Sequence, residues 1–454
     1  MHLLPLVYDP VSYSRILTAL TLGFHIIFAT IGVGVPVMIA LAEWMGIRRN
    51  DPHYLLLARR WARGFVITVA IGVVTGTAIG LQLSLLWPSF MKVAGEAIAL
   101  PLFMETFAFF FEAIFLGIYL YTWDRFKKQI HHFLFIIPVV IGSSASAIFI
   151  TMVNAFMNTP RGFRLEQGQI VDVQPLLAML NPATPTKVSH VLITAYLTSA
   201  FILAAIAAYS ILRGHNHEYH RKALKLTMVA ALIFALSTAA IGDLSGKYLA
   251  KYQPAKLAAA EWHFDTSGEA PLVLGGILTE NHEIKYGLKL PYLLSILAHG
   301  TPEAEVQGLY EIPEDERPSL FIHYLFDGMA IIGVYLLLIS MLFLISSKVR
   351  GWNPYNRKLL WAIVAGAPLS MLAIEFGWIF AEVGRQPWVL VGYMKTAHAA
   401  TTSEHVDIML WLFLALYAVL GYTCINVLRK LFVNNPVEAE IPAIIRKRGN
   451  QHEL

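Results

Sequence analysis

Nine stretches of this chain stay apolar for 20 residues or more, and that feature excludes most folds. They run over about 16–46, 64–87, 95–122, 133–157, 187–212, 224–245, 319–346, 359–381 and 405–428. A hydrocarbon layer about 30 Å thick takes roughly 20 helical residues to cross. Only a backbone that satisfies its own hydrogen bonds is stable there. The expectation is therefore an all-α, polytopic integral membrane protein with about nine transmembrane helices. Charged residues make up only 14% of the chain, against roughly 25% in an average soluble domain. The first run is too long for a signal-peptide core, and MHLLPLVYDPVSYS before it carries no positive charge, so no cleaved targeting segment is expected.

An odd number of crossings puts the termini on opposite sides. With the N-terminus outside, the inner segments hold 21 of the 34 Lys and Arg, including Arg446, Lys447 and Arg448 near the end. The positive-inside rule then predicts an outer N-terminus and a cytoplasmic C-terminus. The chain divides into helices one to six (1–245), an extracytoplasmic loop (246–318), helices seven to nine (319–428) and a cytoplasmic tail (429–454). A loop of that length is expected to be functional. No internal repeat is evident, which argues against the inverted-repeat transporter folds. The net charge of +4, with its cations in short loops, makes no case for nucleic acid. One cysteine, Cys424, excludes intrachain disulfides, haem attachment through paired cysteines and a self-contained iron–sulfur site.

Polar residues inside the apolar runs carry the chemistry. His25 lies well below the outer end of the first helix, where a histidine serves either as a packing polar group or as a metal or haem ligand. Glu105 and Glu112 are seven residues apart, hence on one face of the third helix and about 10 Å apart along it. Two acids there suit a polar interior path for protons, or else are buried acids neutralised by hydrogen bonding. Ser143 and Ser144 are candidates to supply hydroxyls to that path, or simply small residues at a close helix contact. His190 opens the fifth helix and Met329 lies in the outer half of the seventh. A histidine and a methionine from different helices can fill both axial positions of a haem iron. Methionine is equally a core filler, and His299, His323, His398 and His405 compete for the role. His215, His217 and His220 read as a solvated loop in preference to a metal tract. AEVGRQPW, residues 381–388, gathers a carboxylate, an arginine, an amide and a tryptophan at the edge of an apolar run, where such a cluster touches something specific.

Six motifs carry a resemblance across essentially the whole chain: GFHIIFATIG, PLFMETFAFFFEAIFLG, KVSH, GDLSGK, KLAAAEW and EFGWIFAEVGRQPW. The chain resembles the larger, haem-bearing subunit of the cytochrome bd-type quinol oxidases. The resemblance implies a terminal respiratory oxidase in a bacterial or archaeal plasma membrane that oxidises quinol outside and reduces oxygen to water. It takes the protons for water from the cytoplasm and does not pump. By the same likeness, His25 and Glu382 ligate two high-spin haems, one a haem b and the other a haem d or a further haem b. His190 and Met329 hold a low-spin haem b. Lys256 and Glu261 act in quinol oxidation, and Glu105 and Glu112 carry protons. Arg385 pairs with a haem propionate, and Trp378 lies between the high-spin sites. The loop resembles the short form of the family's quinol-binding loop. Implied partners are membrane lipid, a second large subunit and a single-helix small subunit, which the first and ninth helices offer faces to meet. A secondary transporter and a b-type cytochrome that only relays electrons are the competing readings.

Overall fold

The computed structural model describes residues 8–442 except Gly168. Residues 1–7 and 443–454 lie outside the described part, the latter including Arg446, Lys447 and Arg448 of the expected tail. Among the described residues nine helices are long and apolar enough to cross a membrane. They are α1 (Pro10–Arg49), α2 (Pro52–Leu86), α3 (Pro88–Tyr121), α4 (Gln129–Asn158), α5 (Thr184–Leu212), α6 (Glu218–Tyr252), α7 (Ile322–Lys348), α8 (Arg357–Val383) and α9 (Val406–Asn434).

Their starts are written in short polar signals. Asp9 accepts hydrogen bonds from the backbone of Val11 and Ser12, and Asp51 from His53, each just before a helix that opens on proline. Asn50, with φ of 50°, closes α1 in the left-handed region and turns the chain directly into α2. His217 caps α6 by accepting from the Tyr219 amide at 3.1 Å, and His220 is buried one turn on. Those two histidines therefore belong to a helix start, not to a solvated loop. Several helices outrun their apolar stretches, because a helix satisfies its backbone as well in water as in lipid. The Arg59, Arg60 and Arg63 turns of α2, before the apolar run, are the clearest case.

The bundle is built around α1, which touches α2, α4, α5, α8 and α9. That central place encloses α1 on several sides. The outward rows lie elsewhere: Phe103, Phe107, Phe110 and Ile114 on α3, and Ile408, Trp411, Leu412 and Tyr422 on α9. The long connection between α6 and α7 is folded. It holds a short helix (Pro254–Ala260), a pairing of Leu272–Leu274 with Leu288–Leu290, and a second short helix (Leu293–His299). Its Leu257, Ala259, Leu294 and Leu309 share one buried cluster with Ile322 and Leu325 of α7 and Phe380 of α8. The loop is thus a cap seated on the ends of those helices.

Candidate functional site

Chain direction puts the end of α4, the start of α5, the end of α8 and the helix Pro254–Ala260 at one end of the bundle, and there the polar residues converge. Glu382, in the last turn of α8, accepts from Asn154 Nδ2 at 2.6 Å and pairs with Arg385. Asn154 Oδ1 in turn accepts from Lys187 Nζ at 2.6 Å. Lys256 Nζ donates to Asn158 Oδ1 at 3.2 Å and to the Ala381 carbonyl at 3.1 Å. Gly384 leaves room for it, since a Cβ there would come within 3.1 Å of the Lys256 stem. Three basic side chains, Lys187, Lys256 and Arg385, therefore surround one carboxylate. Burial, reinforced by the charges of Lys187 and Arg385, holds the Lys256 ammonium well below the usual lysine range. Buried Arg385 leaves Nε and Nη1 without partners, which is costly unless an anion completes the site.

Glu261 faces away from this cluster. It lies five residues beyond Lys256, off the same helical face, and neighbours α7. Burial and then the Asp327 carboxylate push its carboxyl up to about 8. Oε2 is buried without a partner. Beside it His323 is fully buried, stacked on Trp262 with centroids 3.8 Å apart. Its Nδ1 meets the Ala260 carbonyl at 2.7 Å and its Nε2 the Gly275 carbonyl at 3.2 Å. Nδ1 thus faces a backbone carbonyl, and Nε2 faces another together with Asp327 Oδ2 at 3.3 Å, which removes His323 from competition as an iron ligand.

Deeper in the bundle, His25 Nδ1 lies 2.8 Å from Thr75 Oγ1. The Thr75 hydroxyl donates to the Ile71 carbonyl at 2.9 Å, so its oxygen accepts from His25 and Nδ1 carries the hydrogen. The Nε2 lone pair is left free, the tautomer a metal ligand needs. His190 Nδ1 is buried without a partner. Met329 lies against α8 at Gly377, where a Cβ would stand 2.8 Å from its sulfur.

Along α8, Glu375, Trp378 and Glu382 follow at spacings of three and four, one continuous face. Glu375 points at α1, with Oε2 3.6 Å from where a Gly23 Cβ would sit and Oε1 buried without a partner. Sequence reading passed over Glu375, although it stands seven residues before Glu382, the same spacing as Glu105 and Glu112. It passed over Asn154 and Lys187 as well. On α3, Glu112 is buried and Glu105 accepts from Ser146 Oγ at 2.9 Å. The hydroxyl on the acid comes from Ser146 and not from the expected pair: Ser144 bonds Tyr196 and Ser143 its own helix at Val140.

Residues 13–436 match the family described as cytochrome bd terminal oxidase subunit I. The chain belongs to that family. It is 41% identical over 438 residues to the putative cytochrome bd menaquinol oxidase subunit I of Bacillus subtilis, covering 95% of this chain and 99% of the relative. A cytochrome bd ubiquinol oxidase subunit 1 of the same organism is 30% identical over 427 residues, with 90% of each chain covered. The bd oxidase structure from Geobacillus thermodenitrificans superposes with a TM-score of 0.92 at 65% identity, over 94% of this chain and 99% of that one. As a cytochrome bd oxidase subunit I, the chain is a multi-pass bacterial membrane protein of a terminal respiratory quinol oxidase, with haem as its cofactor and quinol as substrate. The residues present fit haem. His25 offers a free Nε2, His190 a buried nitrogen without a partner, and Arg385 two unsatisfied donors suited to a propionate.

Proposed function

We propose that this subunit oxidises quinol at the outer face and draws the protons for oxygen reduction from the cytoplasmic face, so that charge is separated by vectorial chemistry without a pump. One observation carries the reading. Lys256 and Glu261 sit at one end of the bundle, while Glu105 and Glu112 lead along α3 toward the Arg- and Lys-rich other end. In this orientation the N-terminus is outside and the C-terminus cytoplasmic. The segment 246–318 is the quinol-binding loop, flanked by helices six and seven, with 429–454 as tail.

His25 and Glu382 would hold the two high-spin haems, a haem b and a haem d or further haem b, and His190 with Met329 the low-spin haem b. When bound, haem supplies electron transfer and the oxygen-reducing centre. The chain's own groups do the rest. Lys256, held toward its neutral amine, can take a quinol hydroxyl proton, and Glu261 can take the second. Arg385, with Lys187, balances anionic charge beside Glu382, and Asn154 fixes the Glu382 carboxylate between them. Trp378 lies one turn below Glu382 on the face that the cofactors would share. Glu105 and Glu112 hold protons along α3. The outward apolar rows of α3 and α9 are the faces for a second large subunit, a single-helix small subunit and membrane lipid.

The test is a reduced-minus-oxidised spectrum of the purified oxidase with haem-type analysis, alongside quinol-driven oxygen uptake. Three haem signals with oxygen uptake are expected. Absent haem bands overturn the assignment and favour a transporter, and bands without oxygen uptake make the protein an electron relay.

A further inference from the structure

At the Arg- and Lys-rich end of the bundle, three fully buried polar side chains and the half-buried Gln129 close on one another. Glu43 of α1, Tyr119 of α3 and His132 of α4 are each fully buried. Tyr119 donates its hydroxyl to Glu43 Oε2 at 2.7 Å, and Gln129 Nε2 donates to Glu43 Oε1 at 2.9 Å. His132 Nδ1 lies 2.6 Å from Glu43 Oε1, and His132 Nε2 lies 2.9 Å from the Tyr119 carbonyl.

The geometry fixes a proton count. A carbonyl only accepts, so Nε2 must carry a hydrogen. A ring lone pair and a carboxylate oxygen repel at 2.6 Å, so one further proton lies between Nδ1 and Glu43. Whether written as imidazolium and carboxylate or as imidazole and carboxylic acid, the pair stores one proton in a dry site. The position of the store is equally specific. Glu105, Glu112 and Tyr119 recur every seven residues on α3 and so share one face, each about 10 Å from the next along the axis. The neighbouring charges are peripheral: Trp123 packs its edge on His132 with centroids 4.6 Å apart, and Arg59, stacked on Trp123 at 5.8 Å, pairs with Asp124.

We propose that the Glu43–His132 pair is the proton-loading site at the inner mouth of the Glu112–Glu105 path, with the Tyr119 hydroxyl as the link to Glu112. For the step the Tyr119 hydroxyl turns its own hydrogen from Glu43 toward Glu112 and releases it by way of water to the Glu112 carboxylate, while the Tyr119 oxygen takes the stored proton from the pair through Glu43 Oε2. The pair is left as carboxylate and neutral imidazole, with a lone pair facing an anion, and is refilled from the cytoplasm past half-buried Gln129. No electrons move in this step. The inference rests on the proposed cytoplasmic proton uptake, so the test separates the two.

The fully reduced oxidase complex is mixed with oxygen and proton uptake is followed with a pH dye in parent, Tyr119→Phe, Glu43→Gln and Glu112→Gln. Tyr119→Phe removes one oxygen and leaves the Glu43–His132 pair in place, so it decides the matter even if Glu43→Gln disturbs folding or haem content. Expected is at least a tenfold slower uptake in Tyr119→Phe and Glu43→Gln, with haem content and quinol reduction of the haems as in the parent. If Glu112→Gln is slow while Tyr119→Phe and Glu43→Gln match the parent, the cluster is only structural and the inference fails. If all three match the parent, the α3 path itself fails with it.

Discussion

Lys256 Nζ donates to the backbone carbonyl of Ala381 at 3.1 Å, tying the loop between α6 and α7 to the turn of α8 that carries Glu382. A group proposed for quinol chemistry thus touches the backbone beside a proposed iron ligand. Lys256→Met keeps the length of the stem and removes the donor and the proton acceptor. Quinol-driven oxygen uptake should fall about 100-fold or more, the usual loss for a positioned acid–base group. The high-spin absorption should also shift as the end of α8 relaxes. Loss of turnover with an unmoved spectrum would separate the two roles.

The contact between Met329 and Gly377 makes the low-spin assignment testable from both sides. Met329→Leu conserves volume and deletes the thioether, so part of the low-spin signal should become high-spin. Gly377→Ala would bring a Cβ within 2.8 Å of the Met329 sulfur. It should move the same signal less far and destabilise the protein by about 1 kcal/mol. Unchanged spectra in both variants exclude Met329 as the ligand, and His323, with both nitrogens bound to backbone, is no ready substitute.

For the α3 acids, Glu112→Gln keeps shape and hydrogen bonding but cannot exchange a proton as an acid. Oxygen reduction in a single turnover should slow sharply while haem reduction by quinol persists. Glu105→Gln should cost more, since that carboxyl lies nearer the proposed oxygen site. Ser146→Ala, which removes the donor 2.9 Å from Glu105, should slow the reaction by less than either. Parent-like rates in both glutamine variants would make the acids structural.

Glu261 gives the reaction a pH signature. As a base it acts only when ionised, so with a carboxyl pushed up to about 8 by burial and Asp327, quinol oxidation should rise between pH 7 and 9. The sign for stability is opposite. Between the ordinary value of 4.5 and about 8, the folded protein holds a proton that the unfolded chain has released, so stability falls as pH rises through that window. Melting curves at pH 5 and pH 9 should show this loss in the parent and a smaller one in Glu261→Gln. A flat rate profile in the parent would remove Glu261 from proton transfer.

The sequence made the nine crossings legible because an apolar run of 20 residues has no other stable home, and the spacing of Glu105 and Glu112 made their shared face legible too. What it hid depends on how helices meet. Whether Ser143, Ser144 or Ser146 faces Glu105 is a matter of the rotation of α4 against α3, which no period in the sequence reports. The place of Lys187 beside Glu382 requires the end of α4, the start of α5 and the end of α8 to meet at one point, although its position three residues before His190 hinted at a shared face. The Glu43–His132 contact joins residues 89 apart, each unremarkable in its own helix.

Lys187, Lys256 and Arg385 reach Glu382 from three separate parts of the chain, and this has a bearing on how the protein matures. Without an anionic partner, like charges drawn into one dry corner repel, and the segment most able to retreat is the loop that carries Lys256. The order expected of biogenesis is that helices insert, the proposed anionic cofactor edge settles beside Arg385, and only afterwards Pro254–Ala260 locks down over the ends of α4 and α8. A subunit that never receives its cofactor would display that segment at the membrane surface, where a protease could recognise and remove the defective copy before it joins a respiratory complex.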